Sequence, residues 1–292
     1  MQGLLVVDKP EGFTSHDVVA KLRGLFSLRR IGHGGTLDPM ATGVLPVLLG
    51  KATKASAYLL GDKTYVACFC TGLTTDTYDS AGQILTQSGA RPSLQALQAA
   101  LAPFQGDIVQ IPPMVSAVKV RGKKLYEYAR AGLEIARPPR TVTIHGTDLV
   151  QTDDNQFTLT VRCSKGTYVR ALIHDLGQAV GGGAVMTALR RTASDPFTID
   201  QALTLSQVQS DWEKGCLAVR PVDVLFAACP AVTLPPGRET DCFQGRPLPL
   251  PPSLPVRTDR VRVYDATGRF LQLGRVKDAF IVAETNFFET ET

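Results

Sequence analysis

An α+β fold with a mixed, largely antiparallel sheet flanked by helices is predicted by three features of this 292-residue sequence. Strand-like and helix-like stretches follow one another without the regular βαβ alternation that a parallel sheet requires. The length suffices to bury a full core as one large domain or two. Near residue 229 the composition changes, with Pro230, Pro235, Pro236, Pro247, Pro249, Pro251, Pro252 and Pro255 falling within 26 residues, where no long helix survives. The predicted division is a helix-and-strand unit over 1–229 and a small β-rich module over 230–292.

Each element has its own signal. Residues 3–7 form an apolar run of buried-strand length, and Ser15 is the expected cap of a helix whose apolar positions Val18, Val19, Leu22 and Leu25 keep helical spacing. A glycine-rich loop, Gly32-His33-Gly34-Gly35-Thr36-Leu37-Asp38-Pro39, follows. A short apolar stretch from Val44 to Leu49 and a small helix near 52–60 lead to Lys63-Thr64-Tyr65-Val66-Ala67-Cys68-Phe69, which alternates as a strand does, and Asp79-Ser80-Ala81-Gly82 marks a hairpin turn. Pro92-Ser93 starts a helix with Leu94, Leu97 and Leu101 on one stripe, ended by Gln105-Gly106. Strands near 141–150 and 156–163 precede a helix from about Thr167 to Ala179. Beyond the prolines, Val261–Tyr264 and Phe270–Leu273, joined by Asp265-Ala266-Thr267-Gly268, form a hairpin, with a further strand at 279–283.

Net charge is only +4, but it is uneven. Residues 119–140 hold seven Lys/Arg against two Glu, and residues 237–277 hold eight against four. Basic segments on an otherwise balanced chain suit contact with a polyanion. The six cysteines form no C-x-x-C pair, and Cys68 and Cys70, two apart on a strand, share a face and cannot make an ordinary disulfide, so reduced packing cysteines in the cytoplasm are expected. The first residues lack the basic and apolar segments of a signal sequence or membrane span.

Chemistry narrows further. His16, His33, His145 and His174 are scattered, without H-E-x-x-H spacing, so no metal site is expected. Neither glycine cluster matches a P-loop or dinucleotide fingerprint, so no cofactor is expected either. Ser15-His16-Asp17 cannot line up as a triad, because adjacent side chains diverge. What remains is Asp38. Between Val18 and Gly61 it is the only acid among Lys21, Arg23, Arg29, Arg30, Lys51 and Lys54, surroundings that favour a carboxylate and attract phosphates. Pro39 disfavours helical backbone at Asp38, so the carboxylate stands on an irregular loop.

The string from Gly32 through Asp38-Pro39-Met40-Ala41-Thr42-Gly43-Val44-Leu45-Pro46 resembles the catalytic motif of the TruB family of tRNA pseudouridine synthases. Further matches follow in the family's order: Asp8-Lys9-Pro10, Asp62-Lys63-Thr64-Tyr65, Ile111–Lys119 with Gly122–Tyr126, and Cys163-Ser164-Lys165-Gly166-Thr167-Tyr168-Val169-Arg170. Together they span residues 3 to about 200. The tail matches weakly, and its place and size suggest a PUA-like RNA-binding module.

The resemblance implies isomerisation of uridine to pseudouridine at position 55 in the T loop of tRNA. Asp38 is then the nucleophile on a flipped-out uridine, leaving open whether it adds to the sugar, to the base, or works through a glycal. Arg170 pairs with Asp38, and Tyr65 stacks on the extruded uracil in a pocket shared with Tyr168 and Leu189. His33 fills the gap left by the displaced nucleotide. Lys9 and the 119–140 segment, as a loop folding over the RNA, approach phosphates. A monomeric stand-alone enzyme acting on the T-arm is expected. The competing readings are a non-catalytic RNA-binding or tRNA-folding chaperone on the same scaffold, and a hydrolase that releases free uracil.

Overall fold

The computed structural model describes residues 1–59, 61–116, 118–252, 254 and 258–288. Ala117 in the Ile111–Lys119 run and Pro255 in the proline-rich stretch lie outside the described residues. The main sheet runs in the order Leu203–Thr204, Gly3–Lys9, Thr42–Leu49, Ala184–Ser194, Lys63–Thr71, Gln156–Cys163, Arg140–Asp153, Gly106–Gln110. Five of these seven neighbouring pairs are antiparallel; the exceptions are Leu203–Thr204 against Gly3–Lys9 and Ala184–Ser194 against Thr42–Leu49. The expected α+β class with a mixed, largely antiparallel sheet is what the chain forms.

At the Gly3–Lys9 and Thr42–Leu49 end both faces of the sheet are covered, which is why the first strand lacks polar alternation, whereas Lys63–Thr71 and Gln156–Cys163 alternate buried and accessible positions. Along Gly3–Lys9, Leu5 and Val7 join the core under the helices Ser15–Phe26 and Leu205–Glu213, while Leu4 and Val6 point the other way, toward Phe226, Leu273 and Phe287. A separate core lies beneath the helices Leu94–Leu101 and Val169–Ala179, against Ala67, Phe69, Phe157, Leu159 and Met186. The second sheet begins at Ala231 and runs Ala231–Thr233, Arg260–Tyr264, Phe270–Lys277, Phe280–Asn286, Leu248–Pro249. Among the described residues no helix is long and apolar enough to cross a membrane.

Several local expectations shift. Ser15 is not the cap of its helix. Thr14 is: its hydroxyl accepts from the Asp17 amide and the Asp17 carboxylate accepts from the Thr14 amide, a reciprocal pair that satisfies two donors. Ser15 Oγ instead accepts from the Leu37 amide at 2.8 Å, tying the helix to the residue before Asp38. The helix near 52–60 is a 3-10 turn over Gly50–Tyr58. The Leu94–Leu101 helix stops before Gln105-Gly106, because Ala102–Phe104 tightens into a 3-10 turn with Pro103 inside it. The 119–140 segment is partly regular, with a hairpin of Lys119–Val120 and Lys123–Lys124 and a helix Leu125–Arg130.

Candidate active site

The loop after Ile31–His33 is irregular, as Asp38-Pro39 and the neighbouring glycines require, and it is held at several points. Gly35 has φ +87. The Gly34 amide donates to the Pro46 carbonyl, the Leu37 amide to Ser15 Oγ, the Ala41 amide to the Asp38 carbonyl, and the Gly12 amide to the Pro39 carbonyl. The Leu37 side chain is buried in the core next to Asp38. These restraints fix where the Asp38 carboxylate points: into a cavity of about 420 Å³ also lined by His33, Lys63, Tyr65, Tyr168, Leu189 and Arg191.

Arg170 meets it there. The Arg170 Nη2 donates to Asp38 Oδ1 at 3.2 Å and Nε stands 3.1 Å from Oδ2, so the planar fork faces both carboxylate oxygens. Arg170 is not a surface residue of its helix. Its side chain is 3% exposed, against 31% for Asp38. The rest of the guanidinium is held as well: Nη2 donates to the Val115 carbonyl at 2.7 Å, Nη1 to the Thr77 carbonyl at 3.2 Å, and Nη1 stands 3.7 Å from Asp79 Oδ2.

Burial pushes the Asp38 carboxyl above its ordinary range; Arg170, and more weakly Lys9, pull it back, while Asp79 pushes the same way as burial. The cations adjacent in sequence are not the ones that matter. Arg23 donates to the Ile31 carbonyl, and Lys51 and Lys54 reach the Phe288 and Asn286 carbonyls. A charge that looked local is balanced by an arginine 132 residues away.

The aromatic and apolar walls come from neighbouring elements. Tyr65 and Arg191 are directly paired across two strands, and Leu189 pairs with Ala67 on the same strands. Tyr65 is 8% exposed, and burial raises its hydroxyl above the ordinary value while Arg191 opposes the rise. Tyr168 precedes the Val169–Ala179 helix. Buried Gln110 clamps its backbone, accepting from the Tyr168 amide at 2.7 Å and donating to its carbonyl at 3.0 Å. The Tyr168 ring lies near the guanidinium carbons of Arg140 and Arg170, at 5.6 and 5.7 Å. His33 lines the cavity, and burial lowers it from the usual imidazole range.

Lys9 departs from expectation. It is completely buried, and its Nζ donates to the Pro10, Phe13 and Pro39 carbonyls. It therefore holds the Asp38 loop from behind, with its ammonium turned to these carbonyls and not to a phosphate. Arg191 and Lys63 are among the cavity residues that lacked a sequence role. Arg191, 1% exposed, donates through Nε to the Val44 carbonyl at 2.7 Å and through Nη2 to the Gly35 carbonyl at 3.2 Å. Lys63 bonds the Gly61 carbonyl, and burial lowers it from the usual lysine range. The one hint was parity: Lys63 is two residues from Tyr65 and Arg191 two from Leu189, so each shares a strand face with another cavity residue. Asp79, noted only as part of a turn, is the second carboxylate on Arg170. Among the described residues no cluster of His, Cys, Asp and Glu could hold a metal ion.

Residues 23–169 match the model of the TruB family pseudouridylate synthase N-terminal domain, 170–226 that of the tRNA pseudouridylate synthase B C-terminal domain, and 230–283 that of the pseudouridine synthase II TruB C-terminal region. The chain belongs to the TruB family. A tRNA pseudouridine synthase B of Burkholderia pseudomallei is 43% identical over 97% of this chain and 96% of its own length. That of Azoarcus is 44% identical over 94% and 91%. Among solved structures, a Cbf5–Nop10–Gar1 complex matches with TM-score 0.73 and 28% identity, covering 98% of this chain and 85% of that one. An H/ACA ribonucleoprotein bound to a substrate RNA containing 2′-deoxyuridine matches with TM-score 0.72 and 26% identity over the same shares.

Proposed function

We propose that this protein isomerises uridine to pseudouridine at position 55 in the T loop of tRNA, with Asp38 as the nucleophile. The observation that carries the reading is the Asp38–Arg170 pair at the wall of a cavity that also presents Tyr65, Tyr168 and Leu189. A uridine must leave its stack to reach such a cavity. The half-buried carboxylate keeps one face open to the nucleoside while Arg170 holds both of its oxygens in place. In the net reaction the N1–C1′ bond breaks, a C5–C1′ bond forms, a proton leaves C5 and N1 regains one, so the product is an isomer and needs no external oxidant or reductant.

Tyr65 and Leu189 sandwich the extruded base, and Tyr168, clamped by Gln110, closes one side. His33, which ends the Ile31–His33 strand and lines the cavity, contacts the RNA where the nucleotide has left. The exposed cations Lys119, Arg121, Lys123 and Arg130 lie on the segment after Val118, which lines the cavity; as part of the basic 119–140 segment they meet the T-arm backbone and make binding salt-dependent. Residues 1–229 act as the catalytic unit and 230–292 as a PUA-like RNA-binding module, in a monomer that works in the cytoplasm.

The test incubates purified protein with unmodified tRNA. The expected result is pseudouridine at one T-loop uridine, with RNA mass unchanged and no free uracil. Unchanged RNA would establish a binder or chaperone, and released uracil a hydrolase.

A further inference from the structure

Tyr78 sits between the two residues that hold the outer edge of Arg170, and its backbone is unusual. Its φ is +66, a left-handed conformation that costs a bulky residue about 1 kcal/mol or more. The Thr77 carbonyl before it accepts from Arg170 Nη1, and Asp79 after it places Oδ2 3.7 Å from the same nitrogen. The turn is tied to the Ala184–Ser194 strand: the Met186 amide donates to the Tyr78 carbonyl at 3.3 Å and the Ser80 amide to the Met186 carbonyl at 2.9 Å. Asp79 is locked inside the turn, since Oδ1 accepts from Thr77 Oγ1 at 2.6 Å and from the Ala81 amide at 3.1 Å.

The conformation of Tyr78 turns its ring onto the helix that carries Arg170. The ring stacks on His174, with centroids 3.9 Å apart and planes 17° from parallel. His174 follows Arg170 by four residues in the Val169–Ala179 helix, so the two side chains leave the same helix face one turn apart. Among the described residues His174 Nδ1 has no hydrogen-bond partner, and burial lowers the ring from the usual imidazole range. Its contact with this turn is therefore the flat face on Tyr78.

We infer that the Tyr78–His174 stack is a positioning contact that docks the 76–81 turn on the Arg170 helix and so keeps the guanidinium aimed at Asp38. Neither ring lines the cavity, so both act through Arg170 and neither is a catalytic residue. The strained Tyr78 backbone is retained because one ring contact registers two elements at once: the turn bearing the Thr77 carbonyl and Asp79, and the helix bearing Arg170. Without the stack, the turn is free to shift by a fraction of an ångström, and a misplacement of that order at a reacting pair costs about 10-fold or more in rate. The inference rests on the Asp38–Arg170 reading of the site.

The experiment compares single-turnover isomerisation of unmodified tRNA, tRNA affinity and thermal midpoint for the wild type, His174→Ala, Tyr78→Gly, Tyr78→Phe and the His174→Ala/Tyr78→Gly double variant. Glycine is used at position 78 because it accepts φ +66 without strain. The expected result is a rate loss of about 10-fold in each ring deletion with tRNA affinity within about 2-fold of wild type, full rate in Tyr78→Phe, and no further loss in the double variant, since both changes remove one contact. Ring deletions that keep the wild-type rate, whether or not the thermal midpoint falls, would overturn the inference, as would additive losses in the double variant. Asp38→Asn is run alongside: if it is inactive while the ring deletions are unaffected, the positioning role alone fails, whereas an active Asp38→Asn removes the reading of the site itself.

Discussion

At the scale of single residues, the site opposes two demands on Asp38. As the proposed nucleophile its carboxylate must be ionised, yet it is only 31% exposed at the cavity wall. Burial raises its pKa and Arg170 restrains the rise, so the rate of isomerisation, followed against pH in single turnovers, is expected to fall on the acid side with a midpoint above the ordinary aspartate value of 3.8. A midpoint at or below that value would show that the guanidinium outweighs desolvation. Asp38→Asn keeps the shape but not the charge, and is expected to abolish turnover while leaving tRNA affinity within a few-fold of wild type; measurable turnover would point to another nucleophile. Asp38 stood out in the sequence because it is the one acid among six cations between Val18 and Gly61, although an aspartate before proline more often serves only its own turn. Its true counterion did not, because nothing in the spacing of residues 38 and 170 says that they touch; only the family resemblance joined them. Lys9 misled for the converse reason. A lysine beside a proline near a basic loop suggests phosphate contact, but the loop carbonyls that capture its ammonium are assembled by folding.

At the scale of elements, Lys9 and Gly43 show how the strands Gly3–Lys9 and Thr42–Leu49 carry the Asp38 loop. Burial lowers the Lys9 amine to about 8 from the ordinary 10.5. Below about pH 8 both folded and unfolded chains hold the proton; between 8 and 10.5 the unfolded chain binds it more tightly, so this residue makes stability rise with pH across that window. The difference in unfolding free energy between wild type and Lys9→Met, measured by denaturant titration at several pH values, is expected to move in favour of the wild type by up to ~3 kcal/mol over the window; a flat difference would refute the burial argument. Gly43 has φ +103 beside the Arg191 backbone, and a Cβ there would run into the Arg191 carbonyl. Gly43→Ala is therefore expected to cost about 2 kcal/mol or more and to slow turnover, because Arg191 bridges the Gly35 and Val44 carbonyls behind the site. Unchanged stability and rate in that variant would show the strands can part without consequence. Five strands of the main sheet, Gly3–Lys9, Thr42–Leu49, Lys63–Thr71, Arg140–Asp153 and Gln156–Cys163, were legible from alternation and apolar runs, whereas Ala184–Ser194, which mixes Arg190 and Arg191 with apolar residues, and Gly106–Gln110 were not. Strand order was not legible either, since the pairing of Thr42–Leu49 with Ala184–Ser194 joins residues far apart in sequence and no local pattern encodes it.

At the scale of the whole molecule, the proline-rich boundary suggests two separable units, but the packing joins them. Leu4, Val6, Leu48 and Phe226 share a buried cluster with Leu273 and Phe287. Polar contacts ring that cluster: Gln2 Nε2 donates to the Phe287 carbonyl at 2.6 Å, Lys51 Nζ to the Phe288 carbonyl at 2.8 Å, and the Tyr58 hydroxyl to Glu284 Oε1 at 3.0 Å. Glu284 is in turn held by Arg260 and Arg275. The Gly3–Lys9 and Thr42–Leu49 end of the main sheet is thus covered by the C-terminal sheet, and a chain ending near Cys229 would present Leu4, Val6 and Leu48 to water. Such a truncation is expected to aggregate or to melt well below the full chain, and Phe287→Ala, which empties a fully buried ring site, to cost about 3–5 kcal/mol. Both units should then unfold together, so calorimetry of the full chain is expected to give one transition whose calorimetric and van't Hoff enthalpies agree. A 1–229 fragment that melts at the full-chain temperature and turns over tRNA at the same rate would show instead that the C-terminal sheet is an RNA-binding attachment with no part in holding the catalytic sheet together.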